Sequence, residues 1–168
     1  MSVMFNKNSD KNECYITNDS VMGGLSIGNI EVIDDVMVFS GVISKDNNGG
    51  FTSVFKKLPS LSRDVQSITI RVVGDGNHYQ LRVKAKIMGY EQGYKIDFIT
   101  NSSVQSSAEN SVLETYTFQL SDFKASVKGR IIPHAPALTS SVISHVGFLI
   151  NSAVPTDFNL SIHAIEFH

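Results

Sequence analysis

Apolar and polar residues alternate in several short runs of this 168-residue chain, and this alternation constrains the fold more than any other feature. In residues 94–100, for example, every second position is apolar: Tyr94, Ile96 and Phe98. Side chains of a strand point alternately to its two faces, so a period of two indicates strands with one buried face. No stretch sustains the 3.6-residue period of an amphipathic helix. The chain therefore predicts an all-β, antiparallel β-sandwich.

Residues 30–43 predict a β-hairpin. With Asp34 and Asp35 as a two-residue turn, Val32 would lie opposite Met37 on an apolar face. The other face is also partly apolar, which indicates a hairpin within a sandwich.

Residues 67–86 predict a second hairpin, with Asp75 and Gly76 at its turn. Three apolar pairs would then share one face: Val72–Tyr79, Ile70–Leu81 and Ile68–Val83. The register set by the turn agrees with the register set by hydrophobicity. The outward positions carry basic residues: Arg71, Arg82, Lys84 and Lys86. A solvated face is the ordinary reading of these residues, and a basic docking surface is the alternative.

The remaining segments predict further strands and loops. A bulge near residues 163–164 would turn all five apolar residues of the last strand inward. Residues 145–150 predict an interior strand, residues 138–143 a single helical turn, and residues 89–93 and 101–111 loops. We expect residues 1–13 to form a flexible N-terminal segment and residues 14–168 a single sandwich domain.

Two stretches combine Asn or Asp with a Gly-Gly pair and then lead into a strand: residues 18–26 and 46–53. Gly tolerates positive φ, and Asn and Asp bond to their own backbone in turns. We therefore expect two ordered loops that lie near each other, with at least one Gly of each pair at positive φ. Phe51 is expected to plug the core beneath the second loop, with ligand stacking as the alternative. The candidate binding residues are Asp19, Gly23, Gly24, Asn47, Asn48, Gly49, Gly50 and Phe51.

Charge and cysteine content limit the classes of partner and location. A net charge of −2 with scattered Lys and Arg gives no long-range attraction for nucleic acid or for an anionic membrane. Cys14 is the single cysteine, so no intrachain disulfide forms. The first eleven residues have no signal-peptide core, and no apolar run reaches membrane-spanning length. We expect a cytoplasmic protein without membrane insertion.

No combination of residues predicts catalysis or a cofactor. The five histidines have no ligand-like spacing and no cysteine partner, so no zinc site is predicted. Asp19, Asp46 and loop carbonyls are an alternative Ca²⁺ ligand set, although turn capping is the ordinary interpretation of these side chains. Ser26, Ser44 and Ser53 lie beside the glycine loops without an evident base. We therefore expect a protein that binds without catalysing and holds neither cofactor nor metal.

At these loops the chain resembles the complex I intermediate-associated protein 30 family. The similarity extends in order from about Tyr15 to the C-terminus and is carried by six stretches: residues 18–28, 39–53, 74–79, 94–100 (Tyr-x-x-x-Phe-x-Thr), 129–130 and 146–150. The resemblance implies a galactose-binding-like β-sandwich of jelly-roll type. It also implies a chaperone-like assembly factor for NADH:ubiquinone oxidoreductase, with no catalytic residues to carry over.

The leading hypothesis is thus a binding module that holds a protein partner, such as a respiratory-complex assembly intermediate. The alternative is a carbohydrate-binding module that uses a face or a loop end of the sandwich. Exposed aromatic residues across a concave face would favour a sugar, and an apolar patch with a polar rim would favour a protein.

Overall fold

The computed structural model describes residues 1–3, 13–19, 23–46, 50–102 and 112–168. Within these ranges the chain forms thirteen β-strands. They are β1 (Ser2–Val3), β2 (Cys14–Asn18), β3 (Ile27–Ile33), β4 (Val36–Ile43), β5 (Phe51–Lys57), β6 (Ser67–Val73), β7 (His78–Ile87), β8 (Tyr90–Ile99), β9 (Glu114–Gln119), β10 (Lys124–Val127), β11 (Arg130–Ile131), β12 (Ile143–Asn151) and β13 (Thr156–Phe167). Two short 3-10 turns, Leu120–Asp122 and Ser140–Val142, follow β9 and precede β12.

The strands form two antiparallel sheets that face each other. The first sheet has the order β3-β4-β13-β6-β9, and β1 also pairs with β13. The second sheet has the order β11-β10-β8-β7-β12-β5-β2. Their inner faces share one core of fully buried aromatic and aliphatic side chains, including Phe39, Tyr79, Phe148 and Leu160. The predicted β-sandwich is therefore confirmed.

The β3–β4 hairpin has the predicted register. Val32 pairs with Met37, and the turn residues Asp34 and Asp35 adopt φ values of 49° and 64°. Two successive residues at positive φ give the turn a twist that matches the flanking strands.

The predicted bulge in the last strand is also confirmed. The pairing of β13 with β6 shifts register between Ile162 and Ala164. All five apolar residues of this strand are consequently buried: Phe158, Leu160, Ile162, Ile165 and Phe167.

The predicted hairpin over residues 67–86 is wrong in its pairing. β6 pairs with β13 and β9 in the first sheet, whereas β7 pairs with β12 and β8 in the second. All six apolar residues of the predicted pairs do face the core. They face it from opposite sheets, because the segment 74–77 crosses from one sheet to the other. Arg71 therefore lies on a different sheet from Arg82, Lys84 and Lys86.

Smaller differences concern the segments between strands. Residues 90–93 belong to β8 instead of a loop, because Met88 and Gly89 make the turn at φ values of 50° and 87°. The interior strand β12 and the helical turn before it are confirmed. Ser2 and Val3 of the predicted flexible segment form β1, and Val3 is buried. Most of the predicted loop 101–111 lies outside the described residues.

Candidate functional site

The carboxylate of Asp19 joins the two glycine loops. Asp19 follows β2 and is only 1% exposed. One carboxylate oxygen accepts a hydrogen bond from the backbone N–H of Ser26 at 2.9 Å. The other oxygen accepts hydrogen bonds from the N–H groups of Gly50 at 2.6 Å and Phe51 at 3.2 Å. The expectation that the two loops lie near each other is therefore confirmed.

These hydrogen bonds keep the buried carboxylate ionised. Burial by itself would raise the pKa of Asp19. Hydrogen bonds from Ser26, Gly50 and Phe51 outweigh this effect and hold the pKa below its usual value. Each oxygen of the Asp19 carboxylate accepts at least one hydrogen bond from a backbone N–H, an arrangement that stabilises the ionised form.

Glycine is required in both loops, but for different reasons. Gly23 has a φ of +88° with open space around it, so its requirement is conformational. A Cβ on Gly24 would lie 2.3 Å from Cγ of Asp19, so its requirement is steric. Gly50 has a φ of +146°, and a Cβ there would approach Nζ of Lys45 at 2.7 Å. The prediction of positive φ in each pair is confirmed.

Asn18 adds a second cross-link that we did not single out from the sequence. Its side-chain oxygen accepts hydrogen bonds from the N–H of Gly28 at 3.0 Å and from the hydroxyl of Thr52 at 2.6 Å. Ser26 adds a third, because its hydroxyl accepts from the N–H of Ser44 at 2.9 Å. Asn18 and Ser26 are the first and last residues of the stretch 18–26, but the sequence did not indicate which groups their side chains would bond.

The structure brings together those candidate residues that it describes. Asp19, Gly23 and Gly24 form one side of the joined loops, and Gly50 and Phe51 form the other. Asn47, Asn48 and Gly49 lie outside the described residues. The observed contacts are structural ones, and a binding role for these residues stays a prediction.

Phe51 does not plug the core as expected. Thr52 and Val54 are buried on the inner side of β5, so the strand alternation turns Phe51 to the outer side, where it is half-buried. Phe55 also points outward but is only 6% exposed. Its ring stacks against Tyr15 at 5.9 Å between centroids, and the ammonium of Lys84 lies 4.3 Å from its centroid.

A second cluster of hydrogen bonds forms around Asp75, where the chain crosses between the sheets. Its carboxylate accepts hydrogen bonds from the N–H of Asn77 at 3.1 Å, the hydroxyl of Tyr79 at 2.9 Å and the N–H of Asn159 at 2.7 Å. Burial and the neighbouring Asp75 raise the pKa of Tyr79, so its hydroxyl remains a donor. The hydroxyl of Thr100 accepts from the N–H of Gly76 at 3.1 Å. The motif 74–79 therefore stabilises the segment that crosses from one sheet to the other.

A groove opens between the edge strands of the two sheets. It has a volume of about 590 Å³ and lies between residues 14–16 of β2 and residues 28–33 of β3. The two strands approach at Asn18, which bonds to Gly28. Met37, which is 2% exposed, also contributes to the lining, so the groove reaches down to the core.

No arrangement for catalysis is evident in the described ranges. The Oγ of Ser144 and Nδ1 of its neighbour His145 are 2.8 Å apart. Within the described part of the chain, no carboxylate bonds to the other imidazole nitrogen, so the pair lacks the orienting group of a nucleophile–base system. The same part of the chain contains no group of three His, Cys, Asp or Glu side chains suited to a metal ion. It also contains no helix long and apolar enough to cross a membrane.

Comparison with known families decides the classification. A family model described as complex I intermediate-associated protein 30 (CIA30) matches residues 3–162. The chain belongs to the CIA30 family. Two of the stretches that carried the resemblance, residues 18–28 and 39–53, meet at Asp19. No individual curated protein matches the sequence.

Solved structures similar to this CIA30 chain are β-sandwich modules at low sequence identity. The family 11 carbohydrate-binding module of Clostridium thermocellum, solved in complex with a β-1,3-1,4-mixed-linked tetrasaccharide, is 14% identical with a TM-score of 0.64, covering 98% of this chain and 94% of that one. The solution structure of CtCBM11 is 13% identical with a TM-score of 0.69, covering 99% and 94%. An exo-β-agarase is 12% identical with a TM-score of 0.56, covering 99% of this chain and 25% of that one. These similarities establish the fold.

Proposed function

We propose that this protein is a non-catalytic binding module that holds a protein partner, and that the partner is an assembly intermediate of a respiratory complex. Membership of the CIA30 family supports the class of partner. The absence of an oriented nucleophile–base pair in the described residues supports binding over catalysis.

The observation that carries the proposal is the groove beside the edge strand β3. In the described part of the chain β3 pairs only with β4, so no strand of that part pairs with its other edge, where the N–H of Gly28 bonds to the side chain of Asn18. Six consecutive residues, 28–33, line the groove along that edge. An open edge with an adjacent apolar groove is the arrangement that accepts an added strand.

The outer side of the β3–β4 ribbon also presents apolar side chains. Leu25, Ile27, Ile33 and Val42 are between 49% and 58% exposed. Ile27 and Val42 are cross-strand partners, while Asn29 and Glu31 supply polar positions between the apolar ones. An apolar patch with polar neighbours favours a protein partner over a sugar.

In the proposed complex, an extended segment of the partner adds to the free edge of β3. Backbone hydrogen bonds supply affinity, and every second side chain of the partner enters the groove beside Ile30 and Val32. This mode requires no reactive group on either chain.

The test combines site-specific cross-linking with reconstitution. A photo-cross-linking amino acid at Glu31, on the groove edge, should capture one partner reproducibly in the native host. The same amino acid at Thr115, on the opposite edge strand of the same sheet, should not. Cross-links from Glu31 to residues 4–12 of the same chain alone, or equal capture from both positions, would contradict the proposal.

Reconstitution with the purified partner then tests the groove itself. Ile30→Lys introduces a charge into the groove and should weaken the complex at least tenfold, since about 1.4 kcal/mol corresponds to a factor of ten. Ile96→Lys is the matched control, because Ile96 is also partly buried against the core and lies on the other sheet. Equal affinity of both variants would exclude the groove as the binding site.

Carbohydrate binding is the second candidate function. It is supported by the similarity to a module solved with a bound tetrasaccharide. On the outer face of the second sheet, Tyr15 is 39% exposed and supplies an aromatic ring, and its hydroxyl accepts a hydrogen bond from the ammonium of Lys84 at 2.8 Å. Affinity electrophoresis in gels containing a mixed-linkage β-glucan tests this candidate directly, and unretarded migration in every polysaccharide tried would exclude it.

A further inference from the structure

The outer face of the second sheet carries two adjacent cross-strand rows of basic side chains. In one row, Arg82 pairs with Lys95, and Lys95 pairs with Lys124. In the other row, His145 lies between its partners on both sides, Lys57 and Lys84. Paired residues of neighbouring strands point to the same face with Cβ atoms about 5 Å apart.

This basic face is defined by six residues: Lys57, Arg82, Lys84, Lys86, Lys95 and Lys124. They are six of the fourteen Lys and Arg residues in a chain whose net charge is −2. Two carboxylates share the face in the described part of the chain, Glu91 and Asp97. Six cations and two anions give the face a net charge of +4.

The two carboxylates neutralise only part of this charge. Asp97 lies 3.1 Å from Nζ of Lys95, and Glu91 lies 3.6 Å from Nζ of Lys84. Burial lowers the pKa of the Arg82 guanidinium, although the negative charge of Asp97 acts in the opposite direction. Like charges directly opposite each other destabilise a sheet. Repulsion between these basic residues therefore lowers the stability of the free protein, and a bound anionic ligand would offset this repulsion.

The composition of the basic face indicates which class of anionic ligand it can bind. The interior of protein–protein interfaces is depleted in Lys, whereas this face has five Lys residues and one Arg. Binding of single-stranded nucleic acid uses several exposed aromatic rings to stack successive bases. Here Tyr15 is the one aromatic side chain of the face exposed beyond a third among the described residues, and Phe55 is covered.

The imidazole of His145 lies among the cations, and its ring centroid is 6.0 Å from that of Tyr15. Gln80 is buried, and its side-chain oxygen accepts a hydrogen bond from Arg82 at 3.0 Å. Burial and the neighbouring Lys84 lower the pKa of His145, which keeps its imidazole neutral and able to accept a hydrogen bond.

We infer that the basic face binds an acidic polysaccharide, with uronate carboxylates on the two basic rows and a sugar ring against Tyr15. This inference rests on the carbohydrate-binding candidate and names its chemical class. Tyr15 also lines the groove beside β3, so the basic residues, which lie on β5, β7, β8 and β10, are the positions that test this inference separately from the β3 edge.

The experiment compares polygalacturonate with its methyl ester, which keeps the sugar backbone and replaces each carboxylate by a neutral ester. Full-length protein should bind polygalacturonate in calorimetry, and binding should weaken between about 50 mM and about 0.5 M salt as the charges are screened. The methyl ester should bind at least tenfold more weakly. Equal affinity for both polymers, or binding of a neutral β-glucan alone, would overturn the acidic ligand while retaining the carbohydrate candidate.

Substitutions of two basic residues test whether polygalacturonate binds at the basic face. Lys57 and Lys124 are exposed at the ends of the two rows, so Lys57→Gln and Lys124→Gln should fold normally. Each should weaken binding to polygalacturonate roughly two- to fivefold, the range of a single exposed ion pair. Arg71→Gln is the control, because Arg71 lies on the outer face of the other sheet.

Three outcomes would overturn the inference. The first is full affinity for polygalacturonate in the Lys57→Gln, Lys124→Gln double variant. The second is an equal loss in Arg71→Gln. The third is tighter salt-dependent binding of poly-glutamate or oligo-dT than of polygalacturonate, which would assign the face to an acidic protein or to nucleic acid.

Discussion

The carboxylate of Asp19 accepts a 2.6 Å hydrogen bond from the backbone N–H of Gly50, which is thirty-one residues further along the chain. The same carboxylate closes its own loop through Ser26. A turn-capping residue needs only the local bond. Because Asp19 makes both, the two glycine-rich motifs of the CIA30 family form one structural unit in this protein.

We expect Asp19→Ala to lower the free energy of unfolding by about 3 kcal/mol or more. The substitution removes a charged acceptor from three backbone donors and leaves buried N–H groups unsatisfied. Urea denaturation followed by circular dichroism measures the loss. Asp46→Ala is the control, because Asp46 is an exposed acidic residue of the second loop motif, and it should change stability by less than about 0.5 kcal/mol. Equal losses in both variants would contradict the role of Asp19.

The contribution of Asp19 should disappear in acid. Its pKa is lower in the folded protein than the unfolded value of about 3.9, so its stabilisation is complete above that value. As the pH falls through the folded pKa, the carboxylate is protonated and the stabilisation is lost. The stability difference between wild type and Asp19→Ala should therefore be constant above about pH 5 and narrow below about pH 4. A stability difference between the two proteins that increases as the pH falls would contradict the predicted direction of this pH dependence.

Substitutions of Gly23 and Gly24 should respond differently to the removal of Asp19. Gly23→Ala should cost roughly 1 kcal/mol through its positive φ, and Gly89→Ala, with a similar φ and open space, should cost the same. Gly24→Ala should cost more, because its Cβ would overlap the Asp19 carboxylate. In the Asp19→Ala background the Gly24→Ala effect should shrink, while the Gly23→Ala effect should persist. Simple additivity of Asp19→Ala and Gly24→Ala in this double-mutant cycle would argue against the steric account.

Tyr79→Phe should destabilise the protein by about 1–2 kcal/mol. The Tyr79 hydroxyl is a buried donor to Asp75, and its loss leaves that carboxylate with fewer partners at the sheet crossing. Tyr90→Phe is the control, because Tyr90 is 51% exposed, and it should have little effect. Thermal unfolding of the two variants side by side makes the comparison, and an unchanged melting temperature for Tyr79→Phe would contradict it.

A charge reversal at Lys124 should stabilise the free protein. Lys124→Glu places a carboxylate directly opposite Lys95 and relieves one like-charge pair, for a gain of roughly 0.5 kcal/mol that high salt reduces. The corresponding change Arg71→Glu should give no gain, because its side chain lies 3.9 Å from Glu166. Destabilisation by Lys124→Glu at low salt would show that repulsion within the basic rows does not destabilise the free protein.

Much of the fold could be predicted because it depends on local patterns. The β3–β4 hairpin has its predicted register, since turn and apolar alternation act on neighbouring residues. The bulge at Ile162–Ala164 was predictable for a related reason: only an extra residue turns both parities of β13 inward. The proximity of the glycine loops followed from their shared composition, but the residue that joins them could not be chosen among several Asn and Asp side chains.

Apolar alternation along the chain predicts most of the buried side chains, whereas contacts between distant segments decide which strands are neighbours. Val72 and Tyr79 were predicted to face the core, and both are fully buried. They were also predicted to pair, yet Val72 pairs with Ile162 and Tyr79 with Phe98. A hairpin and a crossing between two sheets have the same alternation and the same Gly-rich turn. The choice between them depends on contacts with β13 and β12, which lie more than fifty residues further along the chain. Those contacts bury the inner faces of both sheets at the same time.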